Sequence, residues 1–255
     1  MLLVLDVGNT NIVAGVYEGA ARVFEARFET LQDATAEQLS EQMFASLAPF
    51  CFEEVAIASV VPPIETALET FCIRDLNATP FFLRSERESG MRVRYQPPAS
   101  LGIDRLCNAV AALESYGAPV IVIDFGTATK LEAVGSDGDY LGGAILPGVG
   151  VSMEALFRNA ARLHEVEWTL PAHAIGRSTK EALQSGFVFG FAGQAEALIH
   201  RFRQEMGSEV PVVATGGWAS SIVPACPSIQ TLDATLTLEG VRRLYGRQKG
   251  REVLR

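Results

Sequence analysis

Two stretches of this chain, one at its start and one near its middle, nearly repeat each other. Leu2-Leu3-Val4-Leu5-Asp6-Val7-Gly8-Asn9-Thr10 is echoed by Val120-Ile121-Val122-Ile123-Asp124-Phe125-Gly126-Thr127-Ala128-Thr129. Each is a continuous apolar run, the pattern of a strand covered on both faces, and each ends on Asp-x-Gly followed by hydroxyl or amide side chains. An Asp at the carboxyl end of such a strand projects where open α/β sheets gather ligands. The Gly permits a sharp turn and close approach of the backbone to a phosphate, and the carboxylate can face a phosphate-bound magnesium ion. Two copies, about half a chain apart, predict a duplicated α/β core with a nucleotide held between its halves.

The 255 residues, 48% of them hydrophobic, suffice for two domains with cores of their own. A formal net charge of -9 argues against a general nucleic-acid or anionic-membrane surface, so an anionic ligand must be met by specific groups. Cys51, Cys72, Cys107 and Cys226 form no CxxC pair and read as reduced, mostly buried thiols of a cytoplasmic protein. The apolar opening is broken by Asp6 and has no basic region before it, so it does not read as a secretion signal. No run approaches the about 20 apolar residues of a membrane span. His164, His173 and His200 lack metal-ligand spacing, and neither a GxxxxGK[ST] loop nor a GxSxG elbow is present.

Along the chain, strands are expected at Ile12–Tyr17 and Arg22–Phe28, joined at Glu18-Gly19, then at Val55–Val60 and Phe81–Leu83. Helical spacing covers Ala36–Leu47, Ile64–Leu76 and Gly102–Tyr116. Residues 85–100 read as loop with a short extended piece at Val93–Tyr95. A domain boundary is placed near residue 117, giving an N-terminal domain over 1–116 and a C-terminal one over 117–255. In the second half strands are expected at Val120, Leu131–Val134, Tyr140–Ile145 and Val210–Ala214, with helices at Ser152–Leu163, at Thr179–Met206, interrupted by Gly186, Gly190 and Gly193, and at Leu236–Tyr245.

Four constellations carry chemistry. Asp6 with Gly8, Asn9, Thr10 and Asn11 reads as a phosphate cradle in which Asp6 helps place magnesium; a strand ending in an Asx-type turn is the plain alternative. Asp124-Phe125-Gly126-Thr127 reads as its second half, and Lys130 beside it as a solvated lysine. Thr215-Gly216-Gly217 fits an adenine or ribose site as well as it fits a tight turn. Gly102-Ile103-Asp104-Arg105 opens a helix, where an acidic residue is favoured by the dipole. The same carboxylate beside a guanidinium can instead accept a hydroxyl proton while the Arg binds an acid.

Together with Ser59-Val60-Val61-Pro62-Pro63, Tyr140-Leu141-Gly142-Gly143, Pro147-Gly148 and Ser178-Thr179, these motifs stand in the order found in type III pantothenate kinases, which the chain resembles over nearly its whole length. The resemblance implies the actin-like fold of duplicated ribonuclease-H-like domains, with ATP in the cleft between them. It also implies transfer of the γ-phosphoryl of ATP to pantothenate, the first step of coenzyme A biosynthesis. By motif it assigns Asp6, Val7, Gly8, Asn9, Thr10, Asn11, Ile12, Val13 and Thr127 to magnesium-ATP. Tyr95, Gly102, Ile103, Asp104, Arg105 and Thr179 are assigned to pantothenate, with Asp104 as general base. Asp124 is assigned to a potassium or ammonium ion, and the assembly to a homodimer with the pantothenate site near the subunit interface. The chain departs from the family pattern at Ile103, where Ala is usual, and at Lys130-Leu131-Glu132, where Thr and an aromatic-acidic pair are usual.

Two other functions share this fold. A non-catalytic regulator of the Bordetella accessory-factor kind is disfavoured by retention of Asp6, Asp104, Arg105 and Asp124 and by the acidic chain. A sugar or acetate kinase, or a polyphosphate hydrolase, is disfavoured by the Gly102 to Arg105 motif, although fold alone does not fix substrate.

Overall fold

The computed structural model describes residues 1–85, 87, 89–207 and 209–250. Glu86, Glu88, Ser208 and residues 251–255 fall in the expected loop and second domain and lie outside the described residues.

The chain opens with β1 (Leu2–Val7), β2 (Asn11–Glu18) and β3 (Ala21–Glu29), an antiparallel meander. Helix α1 (Ala36–Leu47) follows, then β4 (Glu54–Ser59), α2 (Glu65–Asp75) and β5 (Pro80–Phe82). Thr35 starts α1 with a capping box: its hydroxyl accepts from the Gln38 N–H, and the Gln38 side chain accepts from the Thr35 N–H. Strand β4 lies parallel to β1, and β5 parallel to β4, giving the order β3-β2-β1-β4-β5. On β1 the period-2 alternation sends Leu3, Leu5 and Val7 into one core with Leu39, Met43, Leu68 and Phe71 of α1 and α2. Asp6 belongs to the opposite face, with Val4.

Helix α3 (Ile103–Tyr116) leads to β6 (Val120–Phe125), β7 (Ala128–Val134) and β8 (Tyr140–Pro147), again an antiparallel meander. Helices α4 (Val149–Asn159) and α5 (Thr179–Met206), strand β9 (Val212–Thr215), the short α6 (Ala219–Ile222) and β10 (Thr231–Leu232) complete this half. Its sheet order, β10-β9-β6-β7-β8, with β9 parallel to β6 and β10 parallel to β9, is the first sheet repeated strand for strand. The internal repeat in the sequence is therefore a repeat of topology, with Asp6 and Asp124 at the carboxyl ends of equivalent central strands. Ile121, Ile123, Phe125 and Leu131 pack on α5 and α6 through Phe187, Phe191, Ala192 and Ile222.

The closing helix α7 (Leu236–Gln248) was expected in the second half, yet it packs on β1 and β4. The described residues accordingly divide into 1–111 with 236–250, and 112–235. The cause is an apolar stripe: Leu238, Val241 and Leu244 are buried, and at Gly15 on β2 an added Cβ would touch Leu238 at 3.1 Å.

Three local readings are also corrected. The helix expected at Ser152–Leu163 runs over Val149–Asn159, because Gly148, in extended geometry, caps it and accepts the Ser152 N–H at 3.0 Å. The extended piece at Val93–Tyr95 shrinks to an isolated bridge at Val93. Helix α5 runs unbroken for 28 residues from Ser178, whose hydroxyl accepts the Glu181 N–H, to Gly207 in the left-handed conformation. No helix among the described residues is long and apolar enough to cross a membrane.

Candidate active site

The first Asp-x-Gly motif folds as a tight connection between β1 and β2. Val7 faces Ile12 in the ladder, and the Gly8 N–H donates to the Asn11 carbonyl at 3.0 Å. Val7 and Ile12 are fully buried, so their side chains anchor the turn in the core and only their backbone remains for a ligand. Asn9 and Thr10 at the tip are exposed, while Asp6, Gly8, Asn11 and Val13 are partly so. The turn is braced from β3's end: the Thr30 hydroxyl donates to the Gly8 carbonyl at 2.7 Å, and the Thr30 N–H to the Thr10 carbonyl at 2.9 Å. On the other side Val60 N–H donates to the Val7 carbonyl at 3.0 Å, and the Ser59 hydroxyl accepts the Val61 N–H at 3.1 Å. Thr30 was not singled out in the sequence, because nothing local marks a threonine that acts 22 residues upstream.

Gly102 precedes α3 and its carbonyl accepts the Leu106 N–H at 3.2 Å. Asp104 stands in the first turn, partly exposed, with Oδ1 so near the Gly102 backbone that an added Cβ there would come within 2.5 Å of it. A side chain at 102 would push the Asp104 carboxylate aside, which accounts for glycine at this place. Arg105 is only 4% exposed, and its guanidinium carbon lies 5.3 Å from the centre of the Tyr95 ring. That contact, together with the burial of the side chain, helps to hold the charged group in place. Ile103 is buried, so the enlargement from the usual Ala points into the packing and leaves the backbone as its only ligand contact.

Asp6 and Asp104 come from different elements and bear on one residue. Cys107 is completely buried on α3, burial pushes its thiol well above the ordinary range, and the nearby carboxylates of Asp6 and then Asp104 push it the same way. The end of β1 and the start of α3 thus each carry a carboxylate near enough to act electrostatically on the same buried thiol. One residue further along α3, Asn108 is 1% exposed, and its Oδ1 finds no hydrogen-bond partner among the described residues. The sequence signal was present, a lone amide inside the apolar run Leu106 to Val110.

In the second unit Asp124 pairs in register with Lys130 across β7 and with Thr215 across β9. Lys130 was read as a solvated lysine; instead its ammonium lies 2.8 Å from Asp124 Oδ2, with the side chain 15% exposed. The cross-strand register explains the difference, since it puts both side chains on the same face of the sheet. Thr127 is exposed at the β6–β7 turn. Gly216 has φ +97, and an added Cβ would lie 2.4 Å from Asp124 Oδ1 and 2.6 Å from the Phe125 carbonyl carbon. The tight-turn reading of Thr215-Gly216-Gly217 thus holds, and the turn closes over Asp124. Thr179 is exposed at the first position of α5.

Among the described residues no cluster of three or more His, Cys, Asp or Glu side chains is built to hold a metal. Magnesium fits this arrangement nonetheless, because it keeps most of its waters and is held by nucleotide phosphates with one or two carboxylates. Asp6, beside the exposed turn, is such a carboxylate.

The sequence model of the type III pantothenate kinase family matches residues 2–201. A type III pantothenate kinase of Thermomicrobium roseum is 43% identical over 252 residues, which is 97% of this chain and 97% of that one. Among solved structures, a Campylobacter jejuni protein described as a Baf family transcriptional activator aligns at TM-score 0.60 with 19% identity, over 97% of this chain and 99% of its own. An inorganic polyphosphate/ATP-glucomannokinase from an Arthrobacter strain aligns at TM-score 0.51 with 13% identity, over 97% and 98%. At such identities the structural likeness concerns the fold alone, that of actin-like ATPases and sugar kinases built from duplicated ribonuclease-H-like domains. Identity at the level of the Thermomicrobium protein, spread over the whole length, concerns the family, and the chain belongs to the type III pantothenate kinases.

Proposed function

We infer that this protein transfers the γ-phosphoryl group of ATP to the primary hydroxyl of pantothenate, giving 4'-phosphopantothenate and ADP, the first step of coenzyme A biosynthesis. The observation that carries the residue-level reading is the placement of Asp6 at the carboxyl end of β1 and of Asp104 in the first turn of α3, beside the buried Arg105. Phosphoryl transfer asks little covalent chemistry of a protein and much positioning, so two carboxylates held by a strand end and a helix start suit it.

Asp104 accepts the hydroxyl proton as the pantothenate oxygen bonds to the γ-phosphorus and the bond from that phosphorus to the β-bridging oxygen breaks. Arg105, fixed over Tyr95, binds the pantothenate carboxylate as a planar fork. The backbone of Gly102 and Ile103 and the Tyr95 ring line the same substrate. Asp6 and the turn from Val7 to Val13 orient the ATP phosphates, with Asn9, Thr10 and Asn11 supplying side-chain donors. Thr127 is the second unit's candidate contact to ATP. Magnesium, when bound, neutralises charge on the phosphates.

The potassium or ammonium ion that the resemblance attaches to Asp124 does not fit the carboxylate as it stands, because the Lys130 ammonium already holds it. A homodimer remains the assembly we propose. It is supported by a bare stripe on α5, where added Cβ atoms at Gly186, Gly190 and Gly193 would meet nothing within 4 Å. Ile145, Val151, Leu170 and Ile175 of the same unit are exposed apolar side chains, Ile175 by 84%. Phe187 and Phe191 of the same helix lie in the second unit's own core. Thr179 would then meet pantothenate held by the other subunit. A cytoplasmic location is part of this reading, in keeping with the free cysteines and the metabolic role.

The test is release of ADP by purified protein offered pantothenate, glycerol or acetate with magnesium-ATP. Turnover of pantothenate alone is expected. A preference for another acceptor would make it a different kinase, and no turnover of any would make it a regulator.

A further inference from the structure

The two Asp-x-Gly copies differ in the residue that faces the acid across the hairpin. Asp6 faces the apolar Val13 across β2, whereas Asp124 faces Lys130 across β7. The Asp124 and Lys130 side chains are 12% and 15% exposed, and Nζ lies 2.8 Å from Oδ2. The second carboxylate oxygen has little space around it: a Cβ at Gly216 would approach Oδ1 to 2.4 Å, and one at Gly126 to 3.2 Å. Glu132, two residues along β7 on the same face, accepts a hydrogen bond from the Tyr140 hydroxyl and so has a donor of its own.

A carboxylate enclosed in this way needs a counter-cation, because an unpaired buried charge is strongly disfavoured. Lysine answers that need with a compact monocation on a flexible stem. Being tethered, it is present at high effective concentration whatever salt surrounds the protein. We propose that Lys130 is the resident cation of the Asp124 site: a positioning residue that stands in place of a free potassium or ammonium ion, steadies the Gly126-Thr127 turn, and makes the activity indifferent to the monovalent salt. The proposal rests on the kinase reading above and departs from what the family resemblance implies for Asp124.

The experiment compares potassium, ammonium and sodium chlorides at equal ionic strength. Wild-type rates are expected to agree within about twofold in the three salts, since screening is the same in each. Lys130→Ala is expected to lose about tenfold or more in sodium and to recover in potassium or ammonium, as Asp124, deprived of the Lys130 ammonium, recruits an ion from solution. A second readout needs no turnover. The thermal midpoint of Lys130→Ala should rise with potassium at constant ionic strength, while that of the wild type stays put, because a ligand that binds only the folded state stabilises it. Potassium stimulation of the wild type, undiminished activity of Lys130→Ala in sodium, or a folded Lys130→Ala that no cation rescues in rate or midpoint would each overturn the proposal. If Lys130→Ala does not fold, Lys130→Arg decides: it keeps a cation and should keep the salt indifference, and a potassium requirement in it overturns the proposal. Should the wild type turn over no pantothenate, the kinase reading fails while the midpoints still judge Lys130.

Discussion

At the scale of single residues, the site depends on side chains whose positions are set by particular neighbours. Asp104 owes its placement to the absence of a side chain at Gly102, and Arg105 owes its to Tyr95. Replacing Asp104 by Asn keeps the shape and most hydrogen bonding of the side chain but removes the proposed base. The expected result is a fall in kcat of about 10² to 10⁴-fold, the usual scale of general-base help, with ATP affinity little changed. Steady-state kinetics with a separate nucleotide-binding titration checks it, and a loss confined to nucleotide affinity would move Asp104 out of the proton-transfer role. Asp6→Ala should also remove most activity, but by disturbing metal and phosphate placement, so its apparent affinity for magnesium-ATP should weaken as well. Retained activity at saturating magnesium-ATP would show that Asp6 is not part of the phosphate site.

At the scale of elements, α7 decides whether α3 is held where Asp104 and Arg105 need it. Gly240 on α7 lies so close to α3 that an added Cβ would stand 2.1 Å from the Cys107 carbonyl oxygen and 2.4 Å from its carbon. Two effects oppose each other in Gly240→Ala. Ala favours the helix by about 1 kcal/mol, whereas overpacking against a backbone that cannot move aside costs about 1–3 kcal/mol and often more. The clash should win, lowering the thermal midpoint and kcat together; a variant more stable than the wild type would show that α7 can slide away from α3 at no cost. The role of α7 was also what the sequence hid. Its amphipathic pattern announced a helix, but pattern does not say which sheet a helix covers, and the last element of the second half was assigned by chain order to its own half. The repeated Asp-x-Gly strands, by contrast, were legible because both faces of each strand are buried, which leaves a continuous apolar run ending in one acid. The Asp124–Lys130 pair was hidden for a different reason. The two residues are six apart, and only the register of β6 on β7 brings them opposite each other.

At the scale of the whole molecule, the buried thiols couple stability to pH. Burial, followed by nearby carboxylates, pushes Cys72 and Cys226 from the ordinary 9.0 up to about 12, and Cys107 well upward too. A folded-state pKa above the unfolded one gives stability that is complete below about 9 and declines as the pH climbs toward the folded value, because only the unfolded chain then gains by ionising. The thermal midpoint should therefore drop between about pH 8 and about pH 10.5, and Cys72→Ala should flatten that slope while lowering the midpoint at the lower pH. An identical slope in the variant would put the alkaline sensitivity elsewhere. Assembly gives the last prediction. If Thr179 of one subunit meets pantothenate held by Tyr95 and the Gly102 to Arg105 segment of its partner, two differently damaged chains can repair each other. On the proposed arrangement Asp104→Asn lacks the base, and Thr179→Arg should block the substrate from the other side at an exposed position, where the change should leave the fold intact. Mixed under conditions in which subunits exchange, the two inactive proteins should form heterodimers holding one intact site, built from the Asp104 of one chain and the Thr179 of the other. Activity should approach about a quarter of the wild-type value: random exchange makes half of the dimers mixed, and each mixed dimer has one good site of two. Exchange demonstrated by native mass spectrometry with no recovery of activity would place Thr179 beside the Asp104 of its own chain or outside the site altogether.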